Sequence, residues 1–403
     1  MGNRQWAMNP DSVILPPATI AILGGGQLGA MMCEAGRRMG YRMVVLSEDA
    51  SDPAGRWADE HVIGDTRDAQ TVVALAQRAQ VLTNEFEQVP PEVLEAAERV
   101  GAGRGCRVAP SSAVQRTCRD RRHEKMLFAK FNFPHGPFAI VESADGVAAA
   151  YEKLAAGGGG GAKKVVAKVA RGGYDGKGQM WLESSGDAGR VWEELIGPGG
   201  GALMLEQAVP FIAEASVIAA RSPSGQSASF PMFRNEHRNG ILFQTVTPAG
   251  FSAETEKKAR AYAEGIAEKL GVVGLLAVEM FVLENGDVWM NELAARPHNS
   301  GHVTLRATTR SQFEMHIAAI CNLPLVPVES LLPGVMTNLL GDLWTSRNGA
   351  EPRWNEIFEE PHGTLHLYGK TPRPGRKMGH MIHTGHTVEE ALVAANSVFG
   401  RLT

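Results

Sequence analysis

The stretch "VEMFVLENGDVWMNEL" limits the local fold most narrowly, because two largely apolar runs flank Asn285 and Gly286. Asn-Gly between such runs is the strongest short-range signal for a β-hairpin with a two-residue turn. Counting outward from that turn places Glu279 directly opposite Glu292. Opposed residues on one face of a hairpin have Cβ atoms about 5 Å apart. The pattern therefore predicts an antiparallel hairpin that brings two carboxylates together.

The two carboxylates of the predicted pair repel each other, and something must relieve that repulsion. The expected neighbours of the pair on the same face are all apolar: Phe281, Leu283, Val288 and Met290. A shared proton, exposure to solvent or a bound divalent cation would each relieve the repulsion between Glu279 and Glu292. Mg²⁺ prefers oxygen ligands, and ATP-using enzymes commonly hold it with one or two carboxylates and the substrate phosphates. We therefore favour a magnesium site.

A second constraint is the glycine-rich stretch "ARGGYDGKGQM", which carries Tyr174, Asp175 and Lys177 between its glycines. The strand-like segments "KKVVAKVA" and "GQMWLES" flank it, whereas a P-loop leads from a strand into a helix. A flexible hairpin is one interpretation. The other is a flap whose backbone amides cover phosphates, with Lys168 on the preceding strand as a point charge. The three functional groups favour the flap.

Buried strands alternate with helical segments over the first hundred residues. "TIAIL", "YRMVVLS" and "VLTNEFE" are strand-like, and "GGGQLG" follows the first of them. This alternation predicts an α/β domain with a doubly wound parallel sheet over residues 1–110. Gly24, Gly26 and Gly29 also satisfy GxGxxG, with Glu48 near the position of a ribose-binding acid. The glycines fit a nicotinamide dinucleotide, a small or phosphorylated substrate, or a purely structural turn.

The segment from residue 111 to 325 is predicted to be a second domain of the α+β class. A helix starts within "APSSAVQRTCRDRRHEKMLFAKF", and another runs from Ser252 to about Leu270. Further strands are predicted in "ALMLEQAV", "EASVIAAR", "ASFPMFRN" and "ILFQTVTPA". The proline-rich "CNLPLVPVESLLPG" leads into a small C-terminal domain at 326–403.

Bulk composition excludes several function classes. With 403 residues, 44% hydrophobic content, 21% charged content and a net charge of −4, the chain predicts a soluble globular protein. That charge does not favour binding to nucleic acid or to an anionic membrane. The four cysteines form no CxxC pair, and Met1 to Pro17 lacks a signal-peptide core. We expect a cytoplasmic protein.

Four motifs, in this order and spacing, resemble one family: "GGYDGKGQ", "LEQAV", "NELAARPHNSGH" and "RPGRKMGH". They are similar to those of the 5-(carboxyamino)imidazole ribonucleotide synthetases of purine biosynthesis, which are ATP-grasp enzymes. The resemblance covers the chain from about Thr19 to the 390s. It implies an ATP-grasp fold, ATP and Mg²⁺, and a homodimer. It also implies carboxylation of 5-aminoimidazole ribonucleotide by bicarbonate, through carboxyphosphate.

The resemblance also implies roles for individual residues. The implied nucleotide-binding residues are Arg121, Lys168, Gly173, Tyr174, Asp175, Gly176, Lys177, Gly178, Gln179, Glu206, Gln207, Ala208, Val209, Glu214, His237, Asn291 and Glu292. The implied catalytic residues, which bind bicarbonate and the reacting amine, are Tyr174, Asp175, Lys177, Arg296, His298 and Asn299. The implied acceptor-binding residues are Gln27, Leu28, Glu85, Lys370, Arg376 and Lys377. Glu279 and Glu292 match the family's magnesium ligands. Lys177 stands where the family usually has arginine.

Three other functions remain open at this point. One is an ATP-grasp ligase that uses another carboxylate and another ribonucleotide. A nicotinamide-dependent oxidoreductase rests only on the first glycine loop and Glu48. A non-catalytic nucleotide sensor would not explain the carboxylates. The i, i+4 spacing of His298 and His302 raises zinc, but there is no intervening glutamate as in HExxH, and we expect His302 to be structural.

Overall fold

The N-terminal region contains a parallel β-sheet in the structure, a computed structural model that describes residues 11–156, 164–173 and 176–402. Its strands are β1 Thr19–Leu23, β2 Arg42–Ser47, β3 Glu60–Ile63, β4 Val81–Asn84 and β5 Arg107–Val108. The helices are α1 Gln27–Arg38, α2 Ala69–Ala76 and α3 Pro91–Arg104. The strand order is β3-β2-β1-β4-β5, and every pairing is parallel.

Alternate residues of β1 face the two sides of this sheet. Ile20 and Ile22 pack in one apolar cluster with residues of α1, whereas Ala21 and Leu23 pack in another with residues of α2 and α3. A sheet covered on both faces is what the apolar strands require, because neither face can be left in water. The predicted doubly wound domain is confirmed.

The next region forms an antiparallel sheet around the glycine-rich loop. Its elements are α4 Ser112–Cys118, α5 Arg121–Lys130, β6 Phe138–Val141, α6 Ala144–Ala156, β7 Val165–Val169, β8 Gln179–Leu182, α7 Ala188–Leu195 and β9 Leu203–Gln207. The order is β6-β9-β7-β8, so β7 and β8 pair directly on either side of the loop. The predicted strand–loop–strand arrangement is confirmed. A continuous helix through α4 and α5 is not formed, because Asp120 accepts the amide of Arg122 and caps a new helix.

The largest sheet is also antiparallel. Its strands are β10 Phe211–Arg221, β11 Ser227–Ser229, β12 Phe233–Arg238, β13 Ile241–Thr247, β14 Gly274–Leu283, β15 Val288–Ala294, β16 Gly334–Leu340, β17 Gly363–Leu367 and β18 Lys377–Thr384. The accompanying helices are α8 Ala253–Leu270, α9 Thr304–Ala307, α10 Gln312–Ile320, α11 Asp342–Thr345, α12 Asn355–Phe358 and α13 Val388–Arg401. The order is β15-β14-β10-β12-β13-β16-β18-β17, with β11 beside β10.

Two local predictions for this sheet have different outcomes. The helix predicted from Ser252 to about Leu270 is formed as α8, and Ser252 caps it by accepting the amide of Thr255 at 3.1 Å. The continuous strand predicted in "ASFPMFRN" is wrong, because it divides into β11 and β12 around Pro231, which has no amide hydrogen for a ladder bond. Since β16 pairs with β13, the C-terminal strands continue the central sheet. The domain boundaries after residues 110 and 325 remain predictions. Among the helices described, none has the length and apolarity that crossing a membrane requires.

The β14–β15 hairpin differs from its prediction at the turn. The Leu283 amide donates to the Asp287 carbonyl at 2.9 Å, and Val282 pairs with Val288, so the turn has one residue more than predicted. Gly286 adopts a φ of +80° in it. Val288 and Met290 consequently lie on the core side rather than beside the carboxylates. The extra residue shifts the register by one near the turn.

A bulge farther along β15 compensates for this shift. Val278 pairs with Leu293, but Met280 pairs with Met290, so Asn291 and Glu292 both stand opposite Glu279. A bulge of this kind places two residues of one strand against one residue of its partner. Glu279 and Glu292 therefore lie opposite each other, as predicted, although the predicted register is wrong near the turn.

Candidate active site

A cavity of about 810 Å³ is bordered by elements of all three sheets and contains most of the predicted site residues. The predicted residues that line it are Gln27, Leu28, Glu85, Arg121, Lys168, Gly173, Gly176, Lys177, Gln179, Glu206, Gln207, Ala208, Val209, Glu214, His237, Glu279, Asn291, Glu292, Arg296, His298, Asn299, Lys370 and Lys377. Gly178 and Arg376 do not line it. Tyr174 and Asp175 lie outside the described residues. A cavity of this size is typical of small-molecule sites.

The bulge opposite Glu279 supplies three oxygen-bearing side chains to the cavity. Asn291 and Glu292 come from β15, and Glu279 comes from β14. The Asn291 Oδ1 atom is buried and has no hydrogen-bond partner among the residues described. Carboxylate and amide oxygens are suitable ligands for a hard cation such as Mg²⁺. The donor set therefore fits the metal that the sequence pattern favoured.

The Glu279 carboxylate is stabilised in its charged form. Burial by itself raises the pKa of this carboxyl, but the hydrogen bond from His298 and the positive charges of His298, His237 and Lys377 outweigh it and lower the pKa to about 2. The His298 Nε2 and Glu279 Oε1 atoms are 3.2 Å apart. An ionised Glu279 argues against the alternative in which the two glutamates share a proton.

Two buried lysines converge on Glu206 at the end of β9. Lys125 Nζ lies 2.5 Å from one carboxylate oxygen, and Lys168 Nζ lies 2.6 Å from the other. Although burial raises the pKa of Glu206, the two ammonium groups lower it to about 2. The sequence reasoning missed Lys125. Its i, i+4 spacing from Arg121 on α5 was the available signal, because such residues share a helix face.

Arg121 connects the glycine-rich loop to the carboxylate pair. Its guanidinium lies 3.1 Å from Glu292 Oε1 and donates to the Gly173 carbonyl at 3.3 Å. Its backbone amide donates to Ala170 O at 3.0 Å. Glu124, one helical turn farther on, was not predicted either. It is buried, lines the cavity and accepts the amide hydrogen of Leu293 at 3.1 Å.

The described part of the glycine-rich loop packs tightly on its surroundings. Gly176 has a φ of +74°, and a Cβ there would lie 2.9 Å from the Cα of Gly240, in the turn between β12 and β13. A Cβ on Gly178 would lie 2.7 Å from a methyl carbon of Val169. Close backbone approach and positive φ angles therefore explain these glycines. The loop residues Gly173, Gly176, Lys177 and Gln179 line the cavity beside Lys168.

One end of the cavity has the features of a nucleotide site. His237 Nδ1 is hydrogen-bonded to Glu214, and this carboxylate raises the pKa of the histidine against the opposing effect of burial. Phe211 and Phe281 stack with ring centroids 4.6 Å apart. Both aromatic rings line the cavity together with the end of β9 at 207–209. A flat apolar wall beside exposed backbone suits a purine base.

The residues that the resemblance assigned to bicarbonate lie beside the carboxylate pair. Arg296 Nε lies 2.6 Å from an oxygen of Glu87, a residue that was not predicted. Both side-chain polar atoms of Asn299 are buried, and neither has a hydrogen-bond partner within the described ranges. A buried amide without partners is costly unless a ligand satisfies it. Asn299 is therefore suited to contact a polar substrate here.

Close packing against Glu85 accounts for the glycines of the first glycine loop. The Glu85 carboxylate accepts the amide of Gly26 and, at 2.6 Å, the amide of Gly29 at the start of α1. A Cβ on Gly24 would lie 2.4 Å from Glu85 Cγ, and one on Gly26 would lie 2.7 Å from Glu85 Oε1. The acceptor at this helix N-terminus is thus the protein's own carboxyl group, whose pKa burial raises. The amides that would bind the pyrophosphate of a dinucleotide are already occupied.

Cationic residues lie near Glu85 at this end of the cavity. Lys370 contacts the side-chain oxygen of Gln27, and burial lowers the pKa of this lysine to about 8. Lys377 also lines the cavity. Arg376 instead donates to the Thr371 carbonyl at 3.0 Å. Arg376 does not line the cavity, so its place in the acceptor site stays a prediction.

Two candidates from the sequence lie apart from this chemistry. Glu48 follows β2 and pairs on the surface with Arg67 at 3.2 Å, with 62% of its side chain exposed. His302 is buried and stacks on His380, with ring centroids 4.6 Å apart. With the loop amides bonded to Glu85 and Glu48 paired with Arg67, neither feature supports a nicotinamide-dependent oxidoreductase. The burial and stacking of His302 support a structural role for it.

Comparison with known proteins gives matches along most of the chain. The ribonucleotide synthetase preATP-grasp domain matches residues 17–116, and the ATP-grasp domain matches residues 126–313. The phosphoribosylaminoimidazole carboxylase C-terminal domain matches residues 334–393. The N5-carboxyaminoimidazole ribonucleotide synthase of Bacillus subtilis is 36% identical, with 92% of each chain covered. That of Brucella melitensis is 38% identical, with 91% of this chain and 96% of the relative covered.

Solved structures agree with these matches. The Staphylococcus aureus N5-carboxyaminoimidazole synthetase complexed with ADP has a TM-score of 0.85 and 32% identity, covering 96% of this chain and 98% of that one. The Aspergillus clavatus enzyme in complex with ADP and 5-aminoimidazole ribonucleotide has a TM-score of 0.83 and 27% identity, covering 96% and 98%. The predicted ATP-grasp fold is confirmed. This chain belongs to the family of N5-carboxyaminoimidazole ribonucleotide synthases.

Proposed function

We propose that this chain uses ATP and bicarbonate to carboxylate the exocyclic amine of 5-aminoimidazole ribonucleotide in purine biosynthesis. The observation that supports the proposal is that the residues expected to bind the nucleotide and those expected to bind the acceptor line one cavity. Glu214, His237 and the stacked phenylalanines belong to the first, and Gln27 and Glu85 belong to the second. The buried polar groups of Asn291 and Asn299 lie on the walls of the same cavity.

Mg²⁺ would be held by Glu279 and Glu292, with the Asn291 side-chain oxygen as a third donor. The unpartnered Asn291 oxygen and the ionised Glu279 support this assignment. When bound, the ion neutralises the phosphate oxygens and the charge that develops on them during phosphoryl transfer. The neighbouring Arg121 is kept close to Glu292 and adds a fixed positive charge.

In the first step, a bicarbonate oxygen attacks the γ-phosphorus of ATP, the bond to ADP breaks, and carboxyphosphate forms. Lys168 is fixed by Glu206 at the floor of the cavity, so its charge needs no rearrangement to act on the phosphates. Arg296 and Asn299 orient the bicarbonate. The glycine-rich loop covers the phosphates with backbone amides and keeps water from the intermediate.

In the second step, the acceptor nitrogen bonds to the carboxyl carbon and inorganic phosphate leaves. The amine loses a proton to a base, for which Asp175 on the loop is our candidate. Glu85, at the end of β4 and bonded to the first glycine loop, faces the acceptor, and Lys370 and Lys377 supply positive charge for the ribonucleotide phosphate. Each of these roles is a prediction for mutagenesis.

Phosphate release from ATP tests the proposal. It should require bicarbonate and should increase when 5-aminoimidazole ribonucleotide is added. Formate in place of bicarbonate serves as the control for a ligase that uses a different carboxylate. Release that responds to formate and not to bicarbonate would reject the proposed substrate while leaving the family assignment intact.

We also propose that the enzyme is a cytoplasmic homodimer. The cytoplasm is consistent with the thiols of Cys33, Cys106, Cys118 and Cys321, all of which are free and buried. The dimer rests on the family resemblance. Light scattering coupled to gel filtration of the full chain would measure the mass in solution, and a monomer at micromolar concentration would contradict it.

A further inference from the structure

Three polar residues lie on one face of α5: Arg121, Glu124 and Lys125. Their i, i+3 and i+4 spacing places them side by side on the helix. Glu124 and Lys125 are buried. Charged side chains are almost never buried so fully unless they have specific partners. The family resemblance gives Arg121 a role in nucleotide binding, but it gives none to Glu124 or Lys125.

The partners of Glu124 and Lys125 are backbone groups of β15. Lys125 Nζ donates to the Met290 carbonyl at 3.4 Å. Glu124 accepts the Leu293 amide at 3.1 Å. Residues 291–292, which form the bulge opposite Glu279, lie between these two attachment points. The two side chains of α5 therefore hold the bulge on both sides.

The bulge is what turns these backbone groups towards α5. β15 is the outermost strand of its sheet, so the backbone groups on its outer edge have no neighbouring strand to bond. In a regular strand, residues three apart direct their backbone groups to opposite edges. The extra residue of the bulge changes this alternation. Met290 and Leu293 therefore both face outwards, as their pairing with Met280 and Val278, two residues apart, requires.

We propose that Glu124 and Lys125 form a clamp that fixes the bulge and thereby holds the Asn291 and Glu292 side chains in place to bind the metal. Both clamp residues are positioning residues, because they act through the backbone of β15. The inference rests on the magnesium assignment in the proposed function. Removing an outer partner of a metal ligand typically changes metal affinity by about 10- to 100-fold.

Lys125 also connects the clamp to the residues proposed for the nucleotide phosphates. Its Nζ atom lies 2.5 Å from one oxygen of Glu206, and Lys168 Nζ lies 2.6 Å from the other. One helix face is thus bonded to the metal-binding strand and to the partner of Lys168. Glu124 is the better residue for a test, because its side chain bonds to the bulge and not to Glu206.

Two substitutions of Glu124 separate its hydrogen bond from its charge. Glu124→Met and Glu124→Gln both remove the carboxylate and keep the length of the side chain. Only glutamine keeps an oxygen that can accept the Leu293 amide. A buried amide that loses its acceptor is destabilised. A difference between the two variants therefore measures the clamp contact and not the charge.

Hydrogen exchange of the nucleotide-free full chain tests the clamp without metal or substrate. Mass spectrometry of peptides that cover residues 289–295 measures how often the bulge opens. We expect exchange to be about 10-fold faster in Glu124→Met than in Glu124→Gln, because only the methionine variant lacks the acceptor. Equal exchange in the two variants would overturn the proposal.

Calorimetric titration with ADP, with and without Mg²⁺, tests the effect on the metal. The factor by which Mg²⁺ tightens ADP binding should be about 10- to 100-fold lower in Glu124→Met than in Glu124→Gln. Binding of ADP alone should be the same in both variants. Equal factors would overturn the positioning role even if hydrogen exchange differs.

These measurements use neither bicarbonate nor the acceptor, so they distinguish failure of the clamp from failure of the proposed reaction. If Mg²⁺ does not tighten ADP binding in the wild-type protein, the magnesium assignment fails and the metal role of the clamp fails with it. If phosphate release proves independent of bicarbonate while the two variants differ as expected, the clamp stands and only the proposed substrate fails.

Glu264→Met is the matched control. Glu264 on α8 accepts the Ser229 hydroxyl at 2.6 Å and does not line the cavity, so the Mg²⁺ factor should be unchanged. If Glu124→Met does not fold, Glu124→Asp takes its place, because the shorter side chain draws its carboxylate away from the Leu293 amide. Exchange of residues 289–295 should then be faster than in the wild-type protein, and an unchanged rate would overturn the proposal.

Discussion

Replacing Glu206 with glutamine should destabilise the protein strongly, because one carboxylate neutralises two buried lysines. The side chains of Lys125 and Lys168 are only 2% and 10% exposed, and each ammonium lies within 2.6 Å of a Glu206 oxygen. Glutamine keeps the shape and one acceptor oxygen but removes the charge. Both ammonium groups would then be held in the interior without their carboxylate partner, which is the costly way to break a buried ion pair.

The size of the effect follows from the pKa of Glu206. This pKa is lowered from 4.5 to about 2, and at about 1.4 kcal/mol per pH unit the interaction contributes ~3 kcal/mol. Breaking one side of a buried pair typically costs about 3–5 kcal/mol, in agreement with this figure. Because the folded-state pKa is the lower one, the contribution is present above the unfolded pKa of 4.5 and is lost as the pH falls towards 2.

Urea unfolding of the wild-type and Glu206→Gln proteins over a series of pH values tests this reasoning. The difference in free energy of unfolding should be constant near neutral pH and should shrink as the pH falls below about 4.5. Glu236→Gln is the control, because Glu236 pairs with Arg238 on the surface, where an ion pair contributes at most about 1 kcal/mol. Equal destabilisation by the two substitutions would refute the argument.

Three further predictions concern catalysis. Glu279→Gln or Glu292→Gln should lower kcat by about 100- to 1,000-fold with little change in unfolding midpoint, and normal turnover at limiting Mg²⁺ would contradict the metal assignment. Asp175→Asn should reduce carboxylation more than acceptor-independent ATP hydrolysis, and equal loss of both would place Asp175 at the phosphates instead. Arg376→Ala should raise the KM for the acceptor far more than that for ATP, and Lys370→Ala, in the cavity wall, is the comparison. An unchanged acceptor KM in Arg376→Ala would assign that residue to the surface.

The hairpin shows what the sequence can and cannot predict. Asn285 and Gly286 marked the turn correctly, and the opposition of the two glutamates is real. The number of turn residues and the bulge were not predictable from local signals. The bulge depends on outside contacts, since Met290 N donates to Pro134 O at 2.7 Å and Leu293 N donates to Glu124. The extra turn residue shifts the register by one, and the bulge shifts it back by one. The contacts of β15 with these distant segments hold the bulge in place.

The first glycine loop was ambiguous for a similar reason. Its glycines indicate a close approach of something to the start of α1, but they do not identify it. Glu85 fills that place from the end of another strand, and only the packing of β1 beside β4 brings it there. Short motifs predicted most of the cavity wall, because each lies at an end of a strand. Glu87, Lys125 and Glu124 were missed because their roles arise from contacts between separate elements.

The most direct test of the central claim follows the oxygen atoms of bicarbonate. If a bicarbonate oxygen attacks the γ-phosphorus of ATP, ¹⁸O-labelled bicarbonate must transfer one ¹⁸O atom to each phosphate released with 5-aminoimidazole ribonucleotide present. Mass spectrometry of the phosphate from a reaction too brief for exchange with water measures this transfer. We predict one labelled oxygen per phosphate. Phosphate that takes its new oxygen from water would contradict the account, because ATP would then be hydrolysed without activating bicarbonate.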